Sequence, residues 1–257
     1  MIANYHTHTL RCHHASGTER EYIESAINLG FTELGFSDHA PMPYDNSYSS
    51  GIRMSPPKID DYVNTLLDLR REYEKDIKIH IGFEAEYYPA VFDRFIKFLS
   101  DYPIDYLIMG QHWMNNEYDG PYFGSPTDNP EIVRAYVDQV IEGLSSGKFS
   151  YLAHPDLPNF SGDEEAYKKE MRRLIEYTNK NDIPLEINML GAQYDRHYPS
   201  SVFWSLASEM SATAIIGCDT HHTKDIVQPS SVERITRLIE QGSGLKIIDK
   251  LEFKPLK

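Results

Sequence analysis

The histidines of this 257-residue chain are unevenly placed. His6-Thr7-His8 ends one short apolar run, Ser37-Asp38-His39 a second and Glu84-Ala85-Glu86 a third. Gln111-His112, Ala153-His154-Pro155-Asp156, Glu186-Ile187-Asn188 and Asp219-Thr220-His221-His222 close four more. Of 11 histidines, only His80 falls inside an apolar run, whereas side chains kept for packing would be scattered along the elements. Imidazoles and carboxylates together are the ligands of Zn²⁺, Mn²⁺ or Fe²⁺, and the donor types alone do not separate these ions. If His6 and His8 lie on a strand, the two-residue alternation turns both rings to one side, within reach of one cation. Cysteine is missing from most of the run ends, which argues against a purely structural zinc site.

The apolar runs read as strands over 2–6, 32–37, 77–83, 104–110, 149–153, 184–188 and 212–217, and amphipathic segments read as helices over 19–29, 57–75, 89–101, 130–146, 163–181, 200–210 and 230–242. In 57–75, Ile59, Tyr62, Val63, Leu66, Leu67 and Tyr73 share one helical face. Thr18 with Glu21, and Ser161 with Glu164, have capping-box spacing, and Asn129-Pro130 reads as an N-cap followed by proline at the first helical position. Seven strand–helix alternations predict parallel strands with right-handed crossovers, forming either an open sheet or a closed barrel. Active sites in such folds gather at the C-terminal strand ends, where the metal-capable residues fall. Residues 40–57 and 114–129 read as long loops over that face, and no break in composition divides residues 1–257 into two domains.

The formal net charge of −14 disfavours nucleic acid and anionic membranes as partners, and no apolar run approaches membrane-spanning length. With only Cys12 and Cys218, and no basic-then-apolar N-terminal segment, a reducing, cytoplasmic setting is expected. An anionic substrate would need a local positive site, which bound cations could supply. Neither a Gly-x-x-x-x-Gly-Lys-[Ser/Thr] loop nor a Cys-x5-Arg loop is present, and Asp38-His39-Ala40 lacks a second aspartate, so phosphorylated-nucleophile routes lack support. Nothing in the sequence fixes an oligomeric state.

The sequence resembles the PHP (polymerase and histidinol phosphatase) superfamily in His6-x-His8, Ser37-Asp38-His39, Glu84, Gln111-His112, Ala153-His154-Pro155-Asp156 and Asp219-x-His221. Cys12-His13-His14 with Gly17-Thr18-Glu19, Arg53-Met54-Ser55 and Tyr198-Pro199-Ser200 are similar to its histidinol-phosphate phosphatase branch. The resemblance implies an α/β fold, a distorted (β/α)7 TIM-like barrel with two or three divalent ions (Zn, Mn or Fe) at its mouth. Carried over, His6, His8, Glu84 and Asp219 hold the first ion, and Glu84 bridges to a second held by His112 and His154. His39 and His221 hold a third with His13 or His14, of which His14 is favoured. Two loops depart from the family pattern, Gly191-Ala192-Gln193-Tyr194-Asp195-Arg196-His197 and Leu157-Pro158-Asn159-Phe160, both lacking its usual basic residues.

The implied reaction is hydrolysis of a small phosphate monoester, L-histidinol phosphate first among them. A water shared by two such cations loses a proton near neutral pH and attacks phosphorus in line with the leaving alkoxide. Arg11, Arg53 and Arg196 are the candidates for pairing with phosphate, and His197 and His222 for the general acid. Glu86, Asp38 and Asp156 could orient ligand imidazoles or be solvated loop carboxylates. His80 and Cys218 read as packing residues. A sugar phosphate or nucleotide is the alternative substrate. A C–N-cleaving amidohydrolase-type barrel also begins with His-x-His but fits the Glu84 and His39/His221 set poorly, and a catalytically dead barrel is disfavoured by the complete ligand set.

Overall fold

The computed structural model describes residues 1–256. Its strands are β1 Ala3–Asn4, β2 Glu33–His39, β3 Lys78–Ala85, β4 Tyr106–Met109, β5 Tyr151–Leu152, β6 Leu185–Asn188, β7 Thr213–Gly217 and β8 Lys246–Ile248. Its helices are α1 Glu19–Asn28, α2 Ile59–Glu72, α3 Phe92–Leu99, α4 Pro130–Ser145, α5 Glu164–Lys180, α6 Met189–Gln193, α7 Ser201–Glu209 and α8 Glu233–Gln241. The strands form one parallel sheet in sequence order, β1 to β8.

The sheet curls so far that its ends meet at the mouth. Just beyond β1 and β7, Thr7 and Thr220 pair in parallel; His8 N–H donates to Thr220 O at 3.0 Å and Thr220 N–H to His6 O at 3.3 Å. β8 pairs with β7 from Thr213↔Lys246 to Ile215↔Ile248, at the opposite end. The expected count of seven strands is thus corrected to eight, with seven segments meeting around the mouth. β8 is three residues long, largely exposed and preceded by Gly242 and Gly244, so it carries no apolar alternation to read.

Both faces of the sheet are buried, as parallel strands require. Along β4, Tyr106 and Ile108 face the inside of the curl with Tyr5, Tyr151 and Ile215, while Leu107 and Met109 pack under the helices. Tyr106 lies across Gly35 and Gly82, where any side chain would collide with its ring. The C-terminal segment closes the floor. Phe253 stacks on Tyr106 at 4.8 Å between centroids and meets His80 and Tyr5 edge-on, and Lys250 Nζ donates to Glu33 Oε1 at 2.7 Å. His80, bonded to Glu33 at 2.9 Å, belongs to this floor.

Local start signals explain most helix positions. Thr18 and Glu21 form the expected capping box on α1, and Asn129 caps α4 with Pro130 in the first position. The Ser161/Glu164 box is not formed. Asp163 caps α5 instead, accepting from Ala166 N–H at 2.8 Å, because an aspartate two residues later offers an equally good acceptor nearer the apolar stripe.

Candidate metal centre

Strands β1 to β7 deliver polar side chains at, or a few residues past, their C-terminal ends. His39 and Glu84 lie in the last turns of β2 and β3; His6, His154 and Asp219 lie two residues beyond β1, β5 and β7. Asp219 (φ 53°) and His154 (φ 29°) adopt positive φ, which non-glycine residues enter at a cost of roughly 1–3 kcal/mol and which clusters at functional sites. Two glycines make room: a Cβ on Gly110 would collide with the Glu84 carboxylate and one on Gly217 with that of Glu186.

Glu84, 1 % exposed, stands at the centre. Its Oε1 is 2.8 Å from His154 Nε2, 3.6 Å from His6 Nε2 and 3.7 Å from His112 Nε2. Its Oε2 is 2.9 Å from His39 Nδ1 and 3.6 Å from His8 Nε2. Asp219 Oδ1 faces His8 Nε2 at 3.2 Å and His6 Nε2 at 3.4 Å. Ligand atoms converge as His6/His8/Asp219, His6/Glu84/His154, His8/His39/Glu84 and His14/His39/His221. His14 Nε2 and His221 Nε2 lie 3.1 Å apart with their rings stacked. His13 (φ 69°) caps a short 3-10 turn and takes no part in the cluster, whereas His14, itself exposed, lines the cavity and reaches His221.

Behind the imidazoles stand further carboxylates. Glu186, fully buried, is 2.7 Å from His6 Nδ1 and accepts from His154 N–H at 3.0 Å and Asn188 Nδ2 at 2.9 Å. Asp38 is 3.5 Å from His8 Nδ1, and Glu86 is 3.2 Å from His112 Nδ1. A carboxylate at Nδ1 fixes the ring and presents the Nε2 lone pair inward. The role of Glu186 was missed in the sequence; its only signal was its place at the end of the sixth apolar run.

The electrostatics suit cations. Burial disfavours charge on His6, but Glu186, Asp219 and Glu84 outweigh it and raise its pKa to about 10. Burial likewise works against ionised Glu84 and Asp219, yet the surrounding histidines hold both well below the usual carboxylate range. Burial pushes His39 well down, and lowers His221 to about 3, leaving neutral imidazoles, the ligating form. His6 Nε2, His8 Nε2 and Glu84 Oε2 are buried without hydrogen-bond partners. Orphans of this kind cost about 1–3 kcal/mol each, and divalent cations shared among these donors would satisfy them. The residues present therefore fit a polynuclear divalent-metal site.

Above it opens a cavity of about 380 Å³. It is lined by Glu84, His112, His154 and Asp219, by His14, His39, His221 and His222, and by Trp113, Tyr122, Tyr198 and Arg196. His6 and His8 lie fully buried beneath. Three residues expected at the site stand elsewhere. Arg11 pairs with Glu19 and Asp61 and lies over the Tyr62 ring. Arg53 is buried behind the cavity wall, neutralised by Glu86 and Glu117. His197 Nε2 bonds Leu157 O at 2.6 Å and lines a separate depression beside Asp156. Asp156 itself accepts from Ser200 N–H at 2.5 Å, and burial raises its pKa to about 6. Of the two candidate acids, His222 is the one at the cavity, its Nδ1 2.6 Å from Ser16 Oγ. Arg196 donates to Tyr198 OH at 2.6 Å. Asp225 was also missed; it receives the His221 and His222 N–H groups at 3.2 and 2.8 Å and so shapes the turn that carries them.

Known proteins share this arrangement of elements. A protein named a probable histidinol-phosphatase from Deinococcus radiodurans is 26% identical over 232 residues, 88% of each chain. A histidinol-phosphatase from Bacillus subtilis is 29% identical over 118 residues, a match spanning 44% of each chain. The crystal structure of a histidinol phosphate phosphatase from Lactococcus lactis, complexed with zinc, L-histidinol and phosphate, superposes with a TM-score of 0.73 at 18% identity, covering 100% of this chain and 98% of that one, and so has the same fold. No helix among the described residues is long and apolar enough to cross a membrane. The PHP domain matches residues 4–189, a span holding every candidate ligand except Asp219 and His221, and the chain belongs to the PHP domain family.

Proposed function

We propose that the protein is a metal-dependent phosphomonoesterase that hydrolyses L-histidinol phosphate to L-histidinol and phosphate. The observation that carries this reading is the position of Glu84 in the cavity lining, where its Oε1 lies within 3.7 Å of His6 as well as of His112 and His154. A carboxylate so placed would serve both the His6, His8 and Asp219 set and the His112 and His154 set. The substrate assignment rests on relatives named histidinol-phosphatase and on the Lactococcus protein complexed with zinc, L-histidinol and phosphate.

In this reading His6, His8, Glu84 and Asp219 hold one ion, Glu84 with His112 and His154 a second, and His14, His39 and His221 a third. Divalent cations bound there lower the pKa of water and neutralise phosphoryl oxygens. The chain's own residues do the rest. Arg196, steadied by Tyr198, supplies positive charge at the rim, where no lysine or other arginine lines the cavity among the described residues. His222, with Nδ1 engaged by Ser16, offers Nε2 to protonate the departing alkoxide. Trp113 and Tyr122 give flat aromatic walls that suit an imidazole ring.

The test pairs metal content per chain, by elemental analysis, with phosphate release from a panel of monoesters in Zn²⁺ or Mn²⁺. Two or three ions per chain and a marked preference for histidinol phosphate are expected, and His8→Ala or Asp219→Ala should abolish turnover and lower bound metal. Histidinol phosphate turned over no faster than a generic aryl phosphate would defeat the substrate assignment, leaving a sugar phosphate or nucleotide esterase. Unchanged turnover in both variants would defeat the site.

A further inference from the structure

Arg53 is the largest fully buried side chain among the described residues, and it lies at the junction of three segments. It comes from the long loop 40–57. Its Nη2 donates to Glu86 Oε1 at 2.8 Å, just beyond β3, and its Nε donates to Glu117 Oε2 at 2.5 Å, in the second long loop. Its Nη1 donates to Ala40 O at 3.3 Å. Glu86 in turn faces His112 Nδ1 through that same Oε1, at 3.2 Å, while its Oε2 accepts from Trp113 N–H at 3.3 Å and from Tyr88 OH. Glu117 also accepts from Tyr48 OH at 2.7 Å and Tyr44 OH at 3.2 Å.

Two buried carboxylates sharing one guanidinium is an arrangement lysine cannot reproduce, because only the planar fork satisfies both at once. Without the guanidinium, Glu86 Oε1 would lose the 2.8 Å hydrogen bond that holds it facing His112. We propose that Arg53 is a positioning residue for the metal centre: through Glu86 it aims His112 at the ion shared with Glu84, and through Glu117 it pins the loop that carries the aromatic wall. It does not touch substrate. The proposal rests on the metal-centre reading above.

The two arms separate in their effects. Arg53→Met should weaken binding of the most labile Zn²⁺ about 10–100-fold, the range for outer-shell partners of ligand imidazoles, measured by chelator competition and elemental analysis. Glu117→Gln leaves Glu86 paired, so the full complement of Zn²⁺ should remain while KM for histidinol phosphate rises. If Arg53 acts through Glu86, the metal-affinity losses of Arg53→Met and Glu86→Gln must be non-additive in a double-mutant cycle. Arg53→Lys, which keeps the buried charge, covers the case in which Arg53→Met does not fold, and should still lose metal affinity. Wild-type Zn²⁺ affinity in a folded Arg53→Met or Arg53→Lys protein overturns the proposal. So do additive losses with Glu86→Gln, or equal metal loss in Glu117→Gln, which would mark general loosening. Failure of the wild-type chain to bind any divalent ion would instead overturn the metal-centre reading itself.

Discussion

Replacing Glu186 by glutamine leaves shape unchanged and removes one charge, and its cost can be worked from four contacts. Glu186 Oε2 accepts from His154 N–H at 3.0 Å and Asn188 Nδ2 at 2.9 Å, so the single carbonyl oxygen of a glutamine belongs there. The new amide nitrogen then stands where Oε1 was, facing His6 Nδ1 at 2.7 Å and Tyr151 OH at 3.3 Å. Two N–H donors cannot share that gap. Either the contact is lost, at about 1.5–3 kcal/mol for a hydrogen bond to a charged group, or the imidazole moves its proton to Nε2. Nε2 is the atom that faces Glu84 and Asp219, so the second outcome removes the lone pair a cation would use. Both routes predict a 10–100-fold weaker Zn²⁺ affinity, or about 1.4–2.7 kcal/mol; the first also destabilises the metal-free protein by about 1.5–3 kcal/mol, whereas the second leaves its stability nearly unchanged. Chelator competition on wild type and Glu186→Gln, beside thermal melts in excess chelator, measures both terms. Equal Zn²⁺ affinity in the two proteins would refute the view that Glu186 sets the His6 tautomer.

Three further outcomes are expected. Arg196→Ala should raise KM for a phosphate monoester at least tenfold while leaving metal content unchanged, since Arg196 lines the cavity but touches no candidate ligand; steady-state kinetics with elemental analysis tests this, and an unchanged KM would remove Arg196 from phosphate recognition. Phe253→Ala, which opens the floor of the curl, should destabilise by about 2 kcal/mol, below the ~3–5 of a fully buried phenylalanine because Phe253 is only partly buried, and should leave Zn²⁺ binding intact at the far end; urea melts beside metal titration report it. Burial alone would raise the Glu33 carboxyl, but hydrogen bonds from Lys250, His80 and Tyr5 hold it down to about 2. A depressed carboxyl contributes stability above its unfolded value, ordinarily 4.5, and that contribution disappears as pH falls from there towards 2. The stability gap between wild type and Glu33→Gln in urea melts should accordingly shrink over this window, and a constant gap would contradict the pairing.

What the sequence determined by itself is whatever depends on residues near one another in the chain. Strand alternation turns His6 and His8 to one side, helical spacing makes α2 and α4 amphipathic, and the βα rhythm puts ligands at strand ends, so the parallel sheet and its polar edge were readable without coordinates, and the family resemblance implied the barrel. Tertiary structure alone decided which carboxylate stands behind which imidazole and which arginine is free. Glu186 meets His6 across 180 positions, and Arg53 is claimed by Glu86 and Glu117 from 33 and 64 positions away, while Arg196 keeps its place at the cavity. The left-handed backbone at His13, which leaves that ring out of the cluster that His14 joins, and the three-residue β8 belong to the same class. The reason is that periodicity is a property of the local backbone, whereas the state of a charge is set by whatever the fold packs against it.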